Sequence, residues 1–239
     1  MATRETGKLT LLPGLICDDT VWSAQIRDLA DFEPVAINGY GAADSITAMA
    51  EHVLATAPGR LALVGHSMGA RVALEAVRMA PDRVERLALL DTGIHPLADG
   101  EIEKREALLQ LGREDGMDAL IDAWLPPMVH PDRRQDERVM NPLVAMCQRA
   151  GFETFERQVR ALIGRPDARP LLATISCPAL VGVGSHDAWS PVEQHRDIAA
   201  RLPDAELVIF DEAGHMAPFE TPEPVNAALR HWMSRPVLK

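Results

Sequence analysis

Residues 61–69 read LALVGHSMG, and this stretch decides the fold. Its first four residues are apolar, which is typical of a short strand buried on both faces. The next five fit the pattern Gly-x-Ser-x-Gly, and apolar residues with helical spacing continue over 68–79. The stretch therefore predicts a strand, a sharp turn and a helix, with Ser67 on the turn at the carboxyl end of the strand. A serine beside the free N–H groups of a helix N-terminus is a candidate nucleophile.

Short apolar runs recur along the chain and alternate with amphipathic helical segments. This alternation predicts a doubly wound α/β fold, in which about six strands form a mostly parallel sheet flanked by helices. The predicted strands are Leu9–Leu12, Pro34–Ile37, Leu61–Val64, Leu87–Leu90, Ala179–Val183 and Leu207–Phe210.

A long segment between the fourth and fifth predicted strands lacks a strand pattern. We interpret residues 97–172 as a helical lid over the carboxyl ends of the strands, where ligands bind in open α/β sheets. Residues 1–96 and 173–239 would then form the two parts of the core. The alternative is a helical subdomain that packs elsewhere and serves stability alone. The predicted helices are Glu101–Leu111, Met117–Trp124, Arg138–Arg149 and Phe152–Ile163.

A serine nucleophile needs a general base, and His215 has the position expected of one. It follows the last predicted strand and the turn at 211–214, so it lies on a loop at the carboxyl end of that strand. Other histidines, such as His52 and His195, fall within helical patterns. We therefore predict that His215 activates Ser67.

The base in turn needs a carboxylate that fixes its tautomer and stabilises the imidazolium. Asp187 follows the fifth predicted strand and completes the chain order serine, aspartate, histidine that accompanies a nucleophile of this kind. Asp91 is the rival, because it follows the fourth predicted strand directly. Asp211 and Glu212 are weaker rivals, since they are too close in sequence to His215 to reach its Nδ1 easily.

An oxyanion hole would complete the site. The backbone N–H of Met68, directly after the serine, is one expected donor. The glycine turn after the first strand supplies the second, and we assign it to Leu15, with Ile16 as the alternative.

These residues resemble the α/β-hydrolase superfamily, in particular its lidded bacterial esterase and carbon–carbon hydrolase branch. The resemblance implies the α/β-hydrolase fold, with the helical lid inserted after the fourth strand. Two features depart from the family pattern. Pro13-Gly14 replaces the usual His-Gly, and the residues before Lys8 are too few for the two-strand hairpin with which the family often begins. The matching segments are Leu12-Pro13-Gly14 with Trp22, Gly65–Gly69, Cys177-Pro178 through Asp187, and Gly214-His215-Met216 with Glu220-x-Pro222.

The resemblance implies hydrolysis of a carboxylic ester, or of a related lactone or thioester, through an acyl group on Ser67. Halide displacement and epoxide opening use an aspartate in place of this serine, and the single tyrosine, Tyr40, precedes the predicted lid. Two alternatives stay open. The same triad would serve a carbon–carbon hydrolase of a diketone-like substrate, and some superfamily members keep the triad while acting as ligand receptors.

Apolar and flexible side chains are expected around the nucleophile, which favours uncharged esters of small to medium acids. Several of these side chains could equally form the core of the lid. The candidate substrate-binding residues are Trp124, Met128, Phe155, Trp189 and Met216. Lid arginines are more readily explained as surface residues, although one that faced the pocket would favour a carboxylated substrate. These are Arg133, Arg134, Arg157 and Arg165.

Composition limits the partners and the compartment. A formal net charge of −11 disfavours nucleic acid and anionic membranes, so a small-molecule substrate is the expected partner. No apolar run approaches the length of a membrane span. Three widely spaced cysteines favour reduced thiols and a cytoplasmic location. Neither metal-ligand spacing nor a dinucleotide fingerprint occurs, so we expect no metal and no other cofactor. The sequence leaves the oligomeric state open.

Overall fold

The computed structural model of the protein describes residues 7–237. Within this range, six strands form one sheet in which every neighbouring pair is parallel. The predicted parallel sheet of six strands is therefore confirmed. The strands are β1 (Lys8–Leu12), β2 (Val35–Ala36), β3 (Leu61–His66), β4 (Val84–Leu90), β5 (Ala179–Gly184) and β6 (Ala205–Phe210).

Helices connect the strands and flank the sheet. Short 3₁₀ turns precede several of them, for example Asp19–Trp22 before the first helix and Pro126–Met128 within the long insertion. The α-helices of the described range are α1 (Ser23–Asp28), α2 (Ile46–Thr56), α3 (Met68–Met79), α4 (Glu101–Glu114), α5 (Gly116–Trp124), α6 (Glu137–Ile163), α7 (Arg169–Leu172), α8 (Val192–Arg201), α9 (Ala217–Glu220) and α10 (Pro222–Ser234).

The three central strands are buried along their whole length. Every residue of β3, β4 and β5 is buried, which explains why these strands read as nearly continuous apolar runs. The edge strand β6 retains half-buried and exposed residues. The other edge strand, β2, is shorter than predicted, because it pairs with β1 alone and at two positions.

The order of the strands opens a crevice at the carboxyl edge of the sheet. The order is β2-β1-β3-β4-β5-β6, so β2 lies on one side of β1 while all later strands add on the other. The connections that follow β1 and β3 therefore leave in opposite directions, and ligands bind at such a switch point. The loops that carry Gly14 and Ser67 border this crevice.

Helices α4 to α7 separate β4 from β5, where the sequence predicts a helical insertion. Helix α6 is interrupted at Gly151, whose φ of 74° and ψ of 167° are not helical. Glycine tolerates this positive φ, so the chain can change direction there. The predicted helices 138–149 and 152–163 correspond to the two halves of α6. The division of the chain at 97–172 stays a prediction.

Two further expectations concern the ends of the chain and membranes. The expectation that the chain lacks an initial two-strand hairpin concerns residues that lie outside the described range. Among the helices of residues 7–237, none combines the length and the apolarity needed to cross a membrane.

Helix α3 approaches β1 with almost no space between the two backbones. A Cβ atom at Gly69 would collide with the carbonyl oxygens of Leu12 and Pro13. A Cβ atom at Gly65 would likewise collide with the backbone of Ala70. Both glycines of the Gly-x-Ser-x-Gly pattern are therefore required by the packing of strand against helix.

We expect Gly69→Ala to lower the free energy of unfolding by about 1–3 kcal/mol, because backbone atoms must move to accept the methyl group. Urea unfolding measures this quantity. Gly164→Ala is the matched control, since a Cβ atom there would lie 3.7 Å from its nearest neighbour, an ordinary contact. Equal loss of stability in the two variants would contradict the close approach of α3 to β1.

Candidate active site

Ser67 forms the reversal of the chain between β3 and α3. Its backbone has a φ of 53° and a ψ of −116°, a conformation that residues with a side chain seldom adopt. The Ser67 N–H donates to the carbonyl of Leu90 at 2.9 Å. The Ser67 carbonyl accepts from the Ala70 N–H at 3.1 Å and from the Thr92 hydroxyl at 2.9 Å. The end of the neighbouring strand thus holds the turn in place.

Three side chains from three loops form a hydrogen-bonded chain at the carboxyl edge of the sheet. His215 Nε2 lies 2.7 Å from Ser67 Oγ, and His215 Nδ1 lies 2.7 Å from Asp187 Oδ2. When Nδ1 carries the proton and its N–H forms a hydrogen bond to the carboxylate, Nε2 has a free lone pair that can accept the serine proton. His215 and Asp187 are both buried, so water competes little for these contacts. The structure brings together the three residues that the sequence singled out.

Glu220 fixes the loop that carries His215. Its Oε1 accepts from the backbone N–H groups of Gly214 at 2.9 Å and Met216 at 3.2 Å, on either side of the histidine. Its Oε2 accepts from the N–H of His130 at 2.7 Å, in the segment before α6. A buried carboxylate with three N–H donors is a strong acceptor. Glu220 therefore ties the histidine loop to the helical insertion.

Asp187 is oriented by the loop that follows β5. Its Oδ1 accepts from the N–H groups of Trp189 at 2.9 Å and Ser190 at 2.8 Å. Burial raises the pKa of this carboxyl, but the interaction with His215 and the hydrogen bond from Ser190 outweigh burial and keep the pKa below its ordinary value. Asp187 is thus an ionised partner that can orient the imidazole and stabilise its charged form.

Asp91, the rival acid, lies next to this chain but does not bond to His215. Its Oδ1 accepts from the Gly184 N–H at 2.8 Å, while Oδ2 has no hydrogen-bond partner among the described residues. Burial, and then the negative charge of Asp187, raise the pKa of Asp91 well above its ordinary value. Both effects favour the uncharged form of Asp91, in which it repels the Asp187 carboxylate least.

Two backbone N–H groups near Ser67 are free to bind an oxyanion. Within residues 7–237, no hydrogen-bond acceptor pairs with the N–H of Leu15 or of Met68. The alternative donor, the Ile16 N–H, is already bonded to the Gln158 side chain of α6 at 2.7 Å. The geometry thus favours Leu15 over Ile16. Sequence reasoning missed Gln158, because nothing in the sequence pairs it with a loop 142 residues away.

A cavity of about 300 Å³ opens above the serine, between the sheet and the helical insertion. Trp189 lies at its rim with 43% of its surface exposed, whereas Phe155 is fully buried. The wall includes all five of the residues expected to contact a substrate, namely Trp124, Met128, Phe155, Trp189 and Met216, together with Leu15 and Met68.

The cavity also has a polar end that the sequence did not predict. Arg71, His95 and Glu101 line it. Arg71 lies in the first turn of α3, four residues after Ser67, and this closeness in sequence could have identified it. The four arginines of the insertion that the sequence singled out do not line the cavity. Arg165 bonds to Glu101 and to the carbonyls of residues 95, 96 and 162, and the other three bond to backbone carbonyls elsewhere.

Two other buried histidines lie beside the hydrogen-bonded chain of Ser67, His215 and Asp187 without joining it. His66 Nε2 donates to the His215 carbonyl at 2.7 Å, and burial lowers the pKa of His66 to about 3. His195 Nε2 accepts from the Thr92 N–H at 2.8 Å, and burial lowers the pKa of His195 to about 4. Both are neutral at pH 7, so they hold the backbone around the triad without adding charge.

This geometry agrees with the relationships of the sequence. Residues 13–228 match the model of the alpha/beta hydrolase family. The chain belongs to the α/β-hydrolase family. The match spans the turn at Ser67, the helical insertion and the loops that carry Asp187 and His215.

Among the relatives of this α/β-hydrolase are esterases and other hydrolases. A pimeloyl-[acyl-carrier protein] methyl ester esterase of Nitrosomonas europaea is 28% identical, over 88% of this chain and 89% of that protein. A 2-hydroxy-6-oxononadienedioate/2-hydroxy-6-oxononatrienedioate hydrolase of Pseudomonas putida is 28% identical, over 70% of this chain and 60% of that protein. A thermophilic esterase of Thermogutta terrifontis, solved with malate bound, is 30% identical with a TM-score of 0.84, over 95% of this chain and 90% of that one. These relatives support hydrolase activity.

We expect Asp187→Asn to reduce kcat by about 10⁴-fold, because an amide at this position favours the wrong tautomer of His215. Asp91→Asn should change kcat less than about threefold, since Asp91 does not bond to His215 and an amide oxygen can still accept from the Gly184 N–H. Steady-state kinetics on one ester compares the two variants. A large loss in Asp91→Asn with a small loss in Asp187→Asn would contradict the assignment.

Proposed function

We propose that this α/β-hydrolase cleaves a carboxylic ester through an acyl-enzyme on Ser67. The observation that carries the proposal is the chain Ser67–His215–Asp187, with both of its hydrogen bonds at 2.7 Å. A hydroxyl, a base and an orienting carboxylate in this order are the requirements of nucleophilic acyl transfer. Lactones and thioesters present the same acyl group and belong to the same proposal.

In the first half of the reaction, His215 Nε2 takes the proton of Ser67 Oγ as the oxygen attacks the ester carbonyl. The carbonyl oxygen becomes negative and is stabilised by the N–H groups of Leu15 and Met68. The imidazolium, stabilised by Asp187, then donates its proton to the leaving alkoxide. The alcohol departs and the acyl group stays on Ser67.

The second half repeats these steps with water as the nucleophile. His215 takes a proton from water, and the hydroxide attacks the acyl carbon. Collapse of the tetrahedral intermediate breaks the bond to Ser67 Oγ, which recovers its proton from His215. The carboxylic acid is released and the enzyme returns to its starting state.

Residues 97–172 act in this proposal as a lid. Side chains of α4, α5 and α6 form much of the cavity wall opposite the sheet, including Leu108, Trp124 and Phe155. Excluding water strengthens the interactions that stabilise the transition state. A cavity of about 300 Å³ with apolar walls suits the acyl part of a small to medium ester.

A second candidate is hydrolysis of a carbon–carbon bond in a diketone-like substrate. The relative from Pseudomonas putida, a hydrolase of 2-hydroxy-6-oxo dioates by name, favours this candidate. Side-by-side turnover of simple esters and of such a diketone distinguishes the two activities. A ligand receptor that retains the triad would show at most a single slow turnover with either substrate.

We expect Ser67→Ala to reduce ester turnover by about 10⁴-fold or more, because the nucleophile is lost. A fluorophosphonate should label Ser67 in the native protein and should not label this variant. Ser185→Ala is the matched control, since this half-buried serine follows β5 and bonds to His186 instead. If Ser67→Ala keeps more than about a tenth of the activity, the proposal is wrong.

A further inference from the structure

Arg71 places a positive charge in the wall of the cavity that contains Ser67. Ser67 directly precedes α3, Arg71 lies in the first turn of that helix, and both residues line the cavity. Arg71 as a whole residue is half-buried. A molecule that reacts at Ser67 can therefore extend to Arg71 without leaving the cavity.

The Arg71 side chain forms no ion pair with any carboxylate of residues 7–237. Instead, its two terminal nitrogens donate to the backbone carbonyl of His95, at 3.3 and 3.4 Å. These distances are long for a hydrogen bond from nitrogen to oxygen. Most of the capacity of the guanidinium to donate hydrogen bonds is therefore unused.

The acidic neighbours of Arg71 are already paired with other arginines. Glu101 accepts from both terminal nitrogens of Arg165, each at 2.7 Å, and pairs with Arg105 at 2.9 Å. Asp167 pairs with the arginine two residues later at 2.7 Å. Neither carboxylate is free to neutralise Arg71.

The charged side chains around Arg71 leave an excess of positive charge at this end of the cavity. Lys104 and Arg105 also line it, against the carboxylates of Asp99 and Glu101. This local excess stands out in a protein with a net charge of −11. It favours a ligand group of opposite charge.

The buried environment makes Arg71 a receptive partner for an anion. Burial, together with the nearby charge of Arg165, lowers the pKa of Arg71 to about 9, so the group is still protonated at neutral pH. Its charge is poorly compensated by water or by protein. The two oxygens of a carboxylate can each accept an N–H from such a planar group, which forms two parallel hydrogen bonds.

We propose that Arg71 binds a carboxylate at the far end of the ester substrate. The proposal rests on ester hydrolysis at Ser67 and adds a substrate class, namely esters that carry a carboxylate a few methylene groups from the reacting carbonyl. Leu108, Val159 and Leu162 line the same cavity and would contact the methylene groups. Half-esters of short dicarboxylic acids and acyl esters of short hydroxy acids both fit this description.

Matched substrates test the proposal on the native protein. In the first series the carboxylate is on the acyl side: the monomethyl esters of succinate, glutarate and adipate are compared with methyl valerate, methyl hexanoate and methyl heptanoate. In the second series it is on the alcohol side: 3-acetoxypropionate and 4-acetoxybutyrate are compared with propyl acetate and butyl acetate. We expect kcat/KM to favour the carboxylated member at least about tenfold in one pair, because a charge-assisted hydrogen bond has this strength. The responding series shows on which side of the ester the carboxylate lies. No preference in any pair would overturn the proposal.

Variants of two arginines on α3 locate the effect. Arg71→Met should reduce the preference for the carboxylated ester about 10- to 100-fold, whereas Arg78→Met should leave it unchanged. Arg78 is the matched control, because it is exposed and pairs with Glu75 at 2.7 Å. An unchanged preference in Arg71→Met would contradict the proposal.

If that variant does not fold, inhibition of the native protein tests the proposal instead. Hexanoate should inhibit methyl hexanoate turnover at a lower concentration than uncharged hexanamide does, and equal inhibition would contradict the proposal.

Fluorophosphonate labelling separates this proposal from the proposed function. If Ser67 is not labelled and no ester is turned over, ester hydrolysis itself fails. If Ser67 is labelled and neutral esters are turned over without any preference for a carboxylate, the assignment of Arg71 alone fails.

Discussion

The reversal of the main chain at Ser67 is the constraint on which the rest of the site depends. A positive φ of 53° at a residue with a side chain is unfavourable by itself and persists only when neighbouring structure holds it. The end of β4 provides this support through Leu90 and Thr92. The same reversal brings α3 against β1 so closely that only glycine fits at position 69. The Met68 N–H, the Ser67 hydroxyl and Arg71 are all placed by this one turn.

Parallel strands bring the remaining groups to that turn. Because all six strands run in the same direction, the loops after β3, β5 and β6 meet at one edge of the sheet. Asp187 and His215 arrive there on separate loops, each fixed by backbone hydrogen bonds. Burial and the charge of Asp187 raise the pKa of Asp91, whereas the interaction with His215 lowers the pKa of Asp187, so the negative charge beside the histidine lies on Asp187.

Patterns local in sequence predicted most of the fold and the three side chains that meet at Ser67. The strands of the described range lie where the apolar runs place them, since burial on both faces leaves a direct record in the sequence. The helix after Ser67 has the predicted bounds, because small residues and glycines mark its close contact with the sheet. His215 and Asp187 were identifiable because each follows a strand that the pattern locates well.

Contacts between distant segments could not be predicted in this way. The choice between Asp187 and Asp91 depends on which carboxyl reaches His215, and both follow strands. Gln158 engages Ile16 across the fold, which no local pattern indicates. The sequence analysis considered arginines of the insertion as possible carboxylate-binding residues, but Arg165 among them forms an ion pair with Glu101. Arg71 of α3 lines the cavity instead, and its lack of a carboxylate partner among the described residues becomes visible only when the neighbouring carboxylates are seen to be paired.

Direct trapping of the acyl-enzyme tests the central claim, that Ser67 is the nucleophile. Native protein is mixed with excess p-nitrophenyl butyrate, quenched in acid within milliseconds, digested and examined by mass spectrometry. The structure predicts a butyryl group on the peptide that contains Ser67, and its disappearance when the substrate is exhausted. Sustained turnover with the butyryl group on another residue, or with no acylated residue at any time, would contradict the account.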